Sequence, residues 1–261
     1  MPQQINWNDI ANNADTEVAT EVTQELDRMP TVDSQYLTEP HLACCLLVDV
    51  SDSMNRDGKI NQLNAALASF RDQVCRDSLS AMRVEVSVIS FGSDVKIETP
   101  FTPVSQFNAP VLTASGLTAM GKGIRYALET VHQQVHAYHD MGIECFKPFV
   151  LMITDGLPTD LNDDADVQGL RNLIDSRENE GRFGHLRFHA FAVKPGDTDF
   201  LYRLTNRVMA VLNNDFSSLF NWASKTMQTI SHSHVEDKLG YANTEENMVV
   251  PTKGQPVTWD S

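Results

Sequence analysis

Five side chains with oxygen donors stand at the ends of apolar or amphipathic segments of this sequence. Two are carboxylates and three are hydroxyls. Such an all-oxygen set suits Mg²⁺ or Mn²⁺ and disfavours zinc or copper, which prefer nitrogen and sulfur ligands. The sequence therefore predicts a site for one divalent cation, provided that the fold brings these side chains together. The five residues are Asp49, Ser51, Ser53, Thr118 and Asp155.

The segments that would position these residues alternate between apolar runs and amphipathic stretches. Continuous apolar runs at 42–48 and 149–153 are typical of strands buried on both faces. Apolar residues recur at helical spacing in 119–140 and 216–230. Strands that alternate with helices predict a doubly wound, Rossmann-like α/β fold, with a mostly parallel six-stranded sheet and helices on both faces. The segment 95–101, which follows a tight turn, predicts one antiparallel edge strand.

This fold class explains how residues far apart in sequence would meet. In a doubly wound sheet of strand order 3-2-1-4-5-6, strands one and four are neighbours at the topological switch point. Ligands bind in the crevice outside the carboxyl ends of these strands. Asp49 follows strand one and Asp155 follows strand four. We therefore expect both carboxylates in one crevice, with Thr118 at the start of the helix between them.

Composition divides the chain into a domain and two flanking segments. Residues 1–39 are polar and acidic, with a possible short helix that carries Val18, Val22 and Leu26 at helical spacing. Apolar periodicity occupies residues 40–234, which we interpret as one domain. Residues 235–261 are polar again and are predicted to form a flexible tail.

Taken singly, an Asp or Ser after a strand is ordinarily a helix N-cap, and an Asp-Gly pair is ordinarily a turn. Together, in this order, the five residues resemble the metal-ion-dependent adhesion site (MIDAS) of von Willebrand factor A (VWA) domains. The resemblance covers roughly residues 40–230. It implies a VWA fold in which the three hydroxyls contact the metal and the two carboxylates act directly or through bound waters. One departure is that Asp52 stands where the family usually has glycine.

The resemblance also implies a function. Segments 112–121 and 154–160 are similar to those of bacterial TerY-like VWA proteins, which are associated with tellurite resistance and with stress or phosphorylation gene clusters. A site built mostly of neutral hydroxyls leaves Mg²⁺ strongly electrophilic and suited to an anionic oxygen. We therefore expect a non-enzymatic adaptor whose metal binds an Asp or Glu of a protein partner. The alternatives are a metal-dependent phosphoesterase and a subunit that docks on an ATPase ring.

Three other patterns compete with this interpretation. Residues 116–123 nearly spell a P-loop, but Gly123 stands where that motif needs a hydroxyl for Mg²⁺. A histidine triplet on one helical face has a spacing that zinc sites use, although its place beside the buried stripe favours a partly exposed flank. Neither Ser51 nor Ser53 has a histidine or lysine nearby in sequence to activate it as a nucleophile. The histidines are His132, His136 and His139.

Composition argues against several classes of partner. The formal net charge of −15 disfavours nucleic acids and anionic membranes, whose phosphates would be repelled. No apolar run approaches the roughly 20 residues that span a bilayer. The N-terminus lacks the pattern of a secretion signal, and the four cysteines show no zinc spacing. The sequence thus predicts a cytoplasmic protein with free thiols.

Overall fold

The computed structural model describes residues 38–179 and 186–260. Its centre is a seven-stranded sheet of order β3-β2-β1-β4-β5-β6-β7. The five central strands of this order, β2-β1-β4-β5-β6, pair in parallel. The predicted order 3-2-1-4-5-6 is confirmed within it. The predicted short helix around Val18, Val22 and Leu26 lies outside the described residues. The strands are β1 Leu42–Asp49, β2 Val84–Phe91, β3 Val95–Pro103, β4 Phe149–Thr154, β5 Arg187–Val193, β6 Val208–Val211 and β7 Met248–Val249.

Helices cover both faces of this sheet, as the doubly wound pattern predicts. Successive residues of β1 point to opposite faces: Cys44 packs in one core cluster and Cys45 in the other. The first cluster includes α1 and α6, and the second includes α3, α4 and α5. The strand β1 is therefore buried on both sides, which explains its unbroken apolar run. The helices are α1 Lys59–Val74, α2 Ser78–Arg83, α3 Met120–Asp140, α4 Asp164–Asn179, α5 Thr198–Leu204 and α6 Phe216–Ser231.

The sheet has one strand more than the sequence predicts. Both of its edges are antiparallel: β3 pairs with β2 as expected, and β7 pairs with β6 through Met248 opposite Val211. The prediction of six strands with one antiparallel edge strand was therefore wrong in one respect: it lacked this short seventh strand. A two-residue strand shows no periodicity, so only its pairing with β6 reveals it.

The segment that the sequence predicts to be a flexible tail makes ordered contacts. Met248 is buried against the first core cluster. The Tyr202 hydroxyl donates to the Pro251 carbonyl over 2.5 Å, and Asn213 N donates to the Trp259 carbonyl over 3.0 Å. Isolated apolar residues in a polar segment carry no sequence signal of docking, because the surface that receives them is built by β6, α5 and the turn at 212–214.

Within 38–179 and 186–260, no helix combines the length and the apolar character needed to cross a bilayer.

Candidate metal centre

The two predicted carboxylates lie at one edge of the sheet because their strands are hydrogen-bonded neighbours. Val48 of β1 pairs with Ile153 of β4 in parallel register. Asp49 is the last residue of β1, and Asp155 directly follows β4. Both side chains therefore leave the sheet at its carboxyl edge, as the strand order predicts. Both are buried, at 0% and 3% exposure.

Direct hydrogen bonds join four of the five predicted residues. Ser51 N donates to Asp49 Oδ1 over 2.8 Å. The hydroxyl oxygens of Ser51 and Ser53 lie 3.0 Å apart, and Ser53 Oγ donates to Asp155 Oδ1 over 2.6 Å. An unpredicted neighbour, Thr154, donates its hydroxyl to Asp49 Oδ2 over 2.6 Å. The loop after β1 thus carries its serines across to the carboxylate that follows β4.

The fifth residue, Thr118, faces the same space. A Cβ atom built on Gly156 would lie 3.6 Å from Ser53 Oγ and 3.9 Å from Thr118 Oγ1, so both hydroxyls border Gly156. The loop after β4 holds Thr118 in place: Thr118 N donates to Thr159 Oγ1 over 3.1 Å, and Thr159 N donates to the Thr118 carbonyl over 2.9 Å. All five predicted side chains are therefore brought together.

The next residue of that loop caps the helix that Thr118 precedes. Asp160 accepts hydrogen bonds from the backbone N–H groups of Gly121 and Lys122, over 3.0 and 2.8 Å. These are unsatisfied donors of the first turn of α3, and a carboxylate there also complements the helix dipole. Sequence reasoning missed this cap, because Asp160 lies 38 and 39 residues from the groups that it binds. Asp160 and Thr159 position Thr118.

A buried lysine adds a charge that the sequence analysis did not anticipate. Lys59 is 1% exposed, and its ammonium donates to Asp155 Oδ2 and, over 3.0 Å, to the Lys194 carbonyl. The expectation that no lysine lies near the serines was therefore wrong, since Lys59 follows Ser53 by six residues. Its recorded partners are a carboxylate and a carbonyl, so it is not placed to activate a hydroxyl. A lysine in the first turn of a helix is disfavoured by the helix dipole, and this unusual position was the one indication in the sequence that Lys59 has a specific partner.

Burial also changes the acidity of the first carboxylate. Loss of solvation is the main cause, and it raises the pKa of Asp49 to about 6. Hydrogen bonds from Ser51 and Thr154 lower the pKa of Asp49, and the nearby charge of Asp155 raises it, but both effects are smaller. Asp49 is consequently mostly ionised at neutral pH. An ionised buried carboxylate without a cation is costly, and a bound divalent ion would remove that cost.

The donor set fits a hard divalent cation. The side-chain donors are hydroxyl and carboxylate oxygens, the ligands that Mg²⁺ and Mn²⁺ prefer. Within the described part of the chain, no group of three or more His, Cys, Asp or Glu side chains is placed to hold a metal, so a metal here would depend on the hydroxyls. The same finding disfavours zinc at His132, His136 and His139; the rings of the first two instead pack edge to face, 4.3 Å apart.

Two further features of the sequence are the near P-loop and Asp52. The near P-loop at 116–123 does not follow a strand, since residues 107–119 contain none, and Lys122 Nζ donates to Asp94 Oδ1 over 3.1 Å. Asp52, in the place of the usual glycine, is exposed and lies in a short 3₁₀ helix. Positive φ among the described non-glycine residues is confined to Asp57, Asn213 and Asn214, so Asp52 fits without backbone strain.

A comparison with known families points to the same stretch of chain. Residues 44–157 match the family model of the von Willebrand factor type A domain. That stretch contains all five residues of the metal centre. The match spans less than half of the chain and supports a VWA-type domain in that stretch. Comparison with curated proteins found no match.

Solved structures share the fold of this chain at low sequence identity. The pilus adhesin SpaC from Lactobacillus rhamnosus GG, in an open conformation, is 15% identical and superposes with a TM-score of 0.56 over 74% of this chain and 30% of the adhesin. A mutant of the PilB minor pilin from Streptococcus sanguinis is 12% identical, with a TM-score of 0.51 over 73% of this chain and 62% of the pilin. This chain therefore spans less than two thirds of either protein, and the likeness shows the fold alone.

Proposed function

We propose that this chain is a metal-dependent protein-binding module. Asp49, Ser51, Ser53, Thr118 and Asp155 would form a complete MIDAS that holds one Mg²⁺ or Mn²⁺. The observation that carries the proposal is the convergence of these five side chains at the switch point, where both carboxylates and the side chains of Ser51 and Thr118 are buried and Ser53 is partly exposed. When bound, the metal would supply an electrophilic position for an Asp or Glu oxygen of a protein partner.

The contacts of the serines favour binding over catalysis. Ser51 Oγ and Ser53 Oγ contact each other, and Ser53 donates to Asp155, which also holds Lys59 and would be committed to the metal, so Asp155 is not free to act as a base. A nucleophilic serine needs a base that takes its proton. A phosphoesterase would need that base or a second metal.

Within the VWA domains we infer a TerY-like adaptor, on the similarity of segments 112–121 and 154–160. Its setting would be a bacterial stress-response, tellurite-resistance or phosphorylation-linked system in the cytoplasm. The four cysteines are free, and Cys44 and Cys45 are buried, as in proteins of a reducing compartment.

The partner's overall charge follows from that of the whole chain. A net charge of −15 repels an acidic protein at long range. We therefore expect a partner surface that is basic overall and offers one Asp or Glu to the metal.

The metal dependence of capture tests the proposed function. Immobilised chain in Mg²⁺ should retain a partner from native lysate that EDTA releases, and added salt should slow its association more than it speeds dissociation. The measurement is a pull-down with mass spectrometry, followed by surface-based kinetics across metal and salt titrations. Partner capture that EDTA does not change would show that the metal takes no part in recognition. If the partner captured without the metal were an ATPase, the ring-subunit alternative would be favoured.

Two exposed leucines flank the centre and suggest where the partner makes contact. Leu117 precedes Thr118 and is 61% exposed, and Leu157 follows Gly156 and is 52% exposed. Large apolar side chains that rim a polar centre are typical of protein interfaces.

We expect Leu157→Ser to weaken partner binding about tenfold to a hundredfold, since burying a leucine at an interface contributes roughly 1.5–3 kcal/mol. Metal affinity should not change, because the side chain points to solvent. Met141→Ser is the matched control, since Met141 is similarly exposed, at 46%. Met141 directly follows the last residue of α3, whereas the metal centre lies at the first residue, and a helix of this length separates the two ends by about 30 Å. Equal effects of the two variants on partner affinity would show that the leucine rim is not the contact surface.

A further inference from the structure

The buried lysine belongs to the same hydrogen-bonded cluster as the expected metal ligands. The two carboxylate oxygens of Asp155 are divided between a hydroxyl and a cation: Oδ1 accepts from Ser53, and Oδ2 accepts from Lys59. The ammonium is fixed on its other side by the Lys194 carbonyl. Lys59 is therefore a built-in positive charge at the centre, held from two directions.

This placement is unfavourable for the fold by itself. Lys59 is the first residue of α1, where the helix dipole repels a cation, and full burial strips the ammonium of its hydration. An apolar residue would continue the buried stripe that begins at Ile60 without either cost. Replacement of buried ion pairs by apolar residues is often neutral or stabilising in proteins. The ammonium is thus better explained by the chemistry of the centre than by stability.

The charge balance of the centre shows what the ammonium changes. Asp49 and Asp155 supply two negative charges, and Lys59 supplies one positive charge. A divalent ion would leave this set with a net charge of +1, whereas the two carboxylates alone would leave it neutral. A net positive centre attracts an anionic oxygen more strongly, but it holds the metal less tightly.

We propose that Lys59 sets the charge of this metal centre: it lowers the affinity for the divalent ion and strengthens the capture of a carboxylate once the ion is bound. This rests on the proposed function, and it assigns Lys59 as the residue that determines specificity for anionic partners. A purely structural role predicts the opposite sign. If Lys59 only orients Asp155, its removal would weaken metal binding.

The test is Mn²⁺ affinity, measured by the electron paramagnetic resonance of free Mn²⁺, in wild type and in Lys59→Met. We expect Lys59→Met to bind Mn²⁺ about tenfold more tightly or better, because a unit charge near a buried site acts at low effective dielectric. Acetate is the carboxylate probe, followed by water-proton relaxation of the bound Mn²⁺. Its affinity for the loaded centre should fall severalfold in the variant.

Three further variants make the result decisive. Lys59→Gln removes the charge but keeps N–H donors for Asp155, so it replaces Lys59→Met if that variant does not fold. Lys59→Arg keeps the charge and should retain the weaker Mn²⁺ affinity of wild type. Lys225→Met removes an exposed lysine of α6, paired with Glu245, and controls for net charge; it should change neither affinity.

The outcomes separate this inference from the proposed function. Mn²⁺ affinity that is equal or weaker in Lys59→Met and Lys59→Gln, with wild type binding normally, would overturn the role of Lys59 alone. Absence of Mn²⁺ binding in wild type and in both neutral variants would overturn both. Binding in the neutral variants but not in wild type would support the charge effect and refute a metal-dependent function of the native chain.

Discussion

Replacing Asp49 by asparagine is expected to lower Mg²⁺ or Mn²⁺ affinity about a hundredfold or more while the fold survives. The substitution removes one of two buried charges from the centre but keeps an acceptor for Ser51 N. It also removes a carboxylate whose pKa is raised to about 6 by burial, so the unloaded fold loses a costly charge. Isothermal titration calorimetry measures the affinity, and thermal unfolding checks the fold.

Asp52→Asn is the matched control for that experiment. Asp52 lies in the same loop, three residues along the chain, but its side chain is exposed. A solvated charge at the rim is screened, so its removal should change the affinity by only a few fold. Unchanged metal affinity in Asp49→Asn would refute the metal centre. Equal losses of metal affinity in the two variants would show that the net charge of the protein, and not the position of Asp49, determines the affinity.

Replacing Asp155 by alanine should cost stability as well as the metal. A residue at the rim of the core is ordinarily expected to tolerate alanine without loss of the fold. The structure changes that expectation, since alanine would leave the buried Lys59 ammonium with only the Lys194 carbonyl. Removing one partner of a buried ion pair destabilises a protein by about 3–5 kcal/mol. Urea unfolding of the metal-free protein measures the change.

A double variant isolates the ion pair. Asp155→Ala with Lys59→Met should recover most of the lost stability, because no unpaired charge remains. Metal affinity should stay low, since a carboxylate is still absent. Asp175→Ala, which breaks the partly exposed Arg171–Asp175 pair of α4, should cost less than about 1 kcal/mol. A loss in Asp155→Ala no larger than in Asp175→Ala would mean that Lys59 finds another partner or solvent.

Local pattern was enough to predict most of the fold. The unbroken apolar runs of β1 and β4 are visible because a strand buried on both faces admits no polar residue. Amphipathic periodicity likewise predicted α3 and α6 to within a residue or two. The strand order then implies that Asp49 and Asp155 meet at the switch point. The five oxygen-bearing residues could therefore be predicted from residue type, from position at the ends of elements and from the resemblance to the MIDAS, and metal binding by them stays a prediction.

The charge and the support of the centre were decided only by tertiary structure. Lys59 and Asp155 are 96 residues apart, and Asp160 reaches the start of α3 from 38 and 39 residues away. The strand β7 exists only through its pairing with β6. Periodicity reports which face of an element is buried, but not which flexible side chain crosses a crevice to another loop. From sequence, a long charged side chain such as that of Lys59 is predicted to be exposed to solvent. It is buried here because the fold places the opposite charge of Asp155 within its reach.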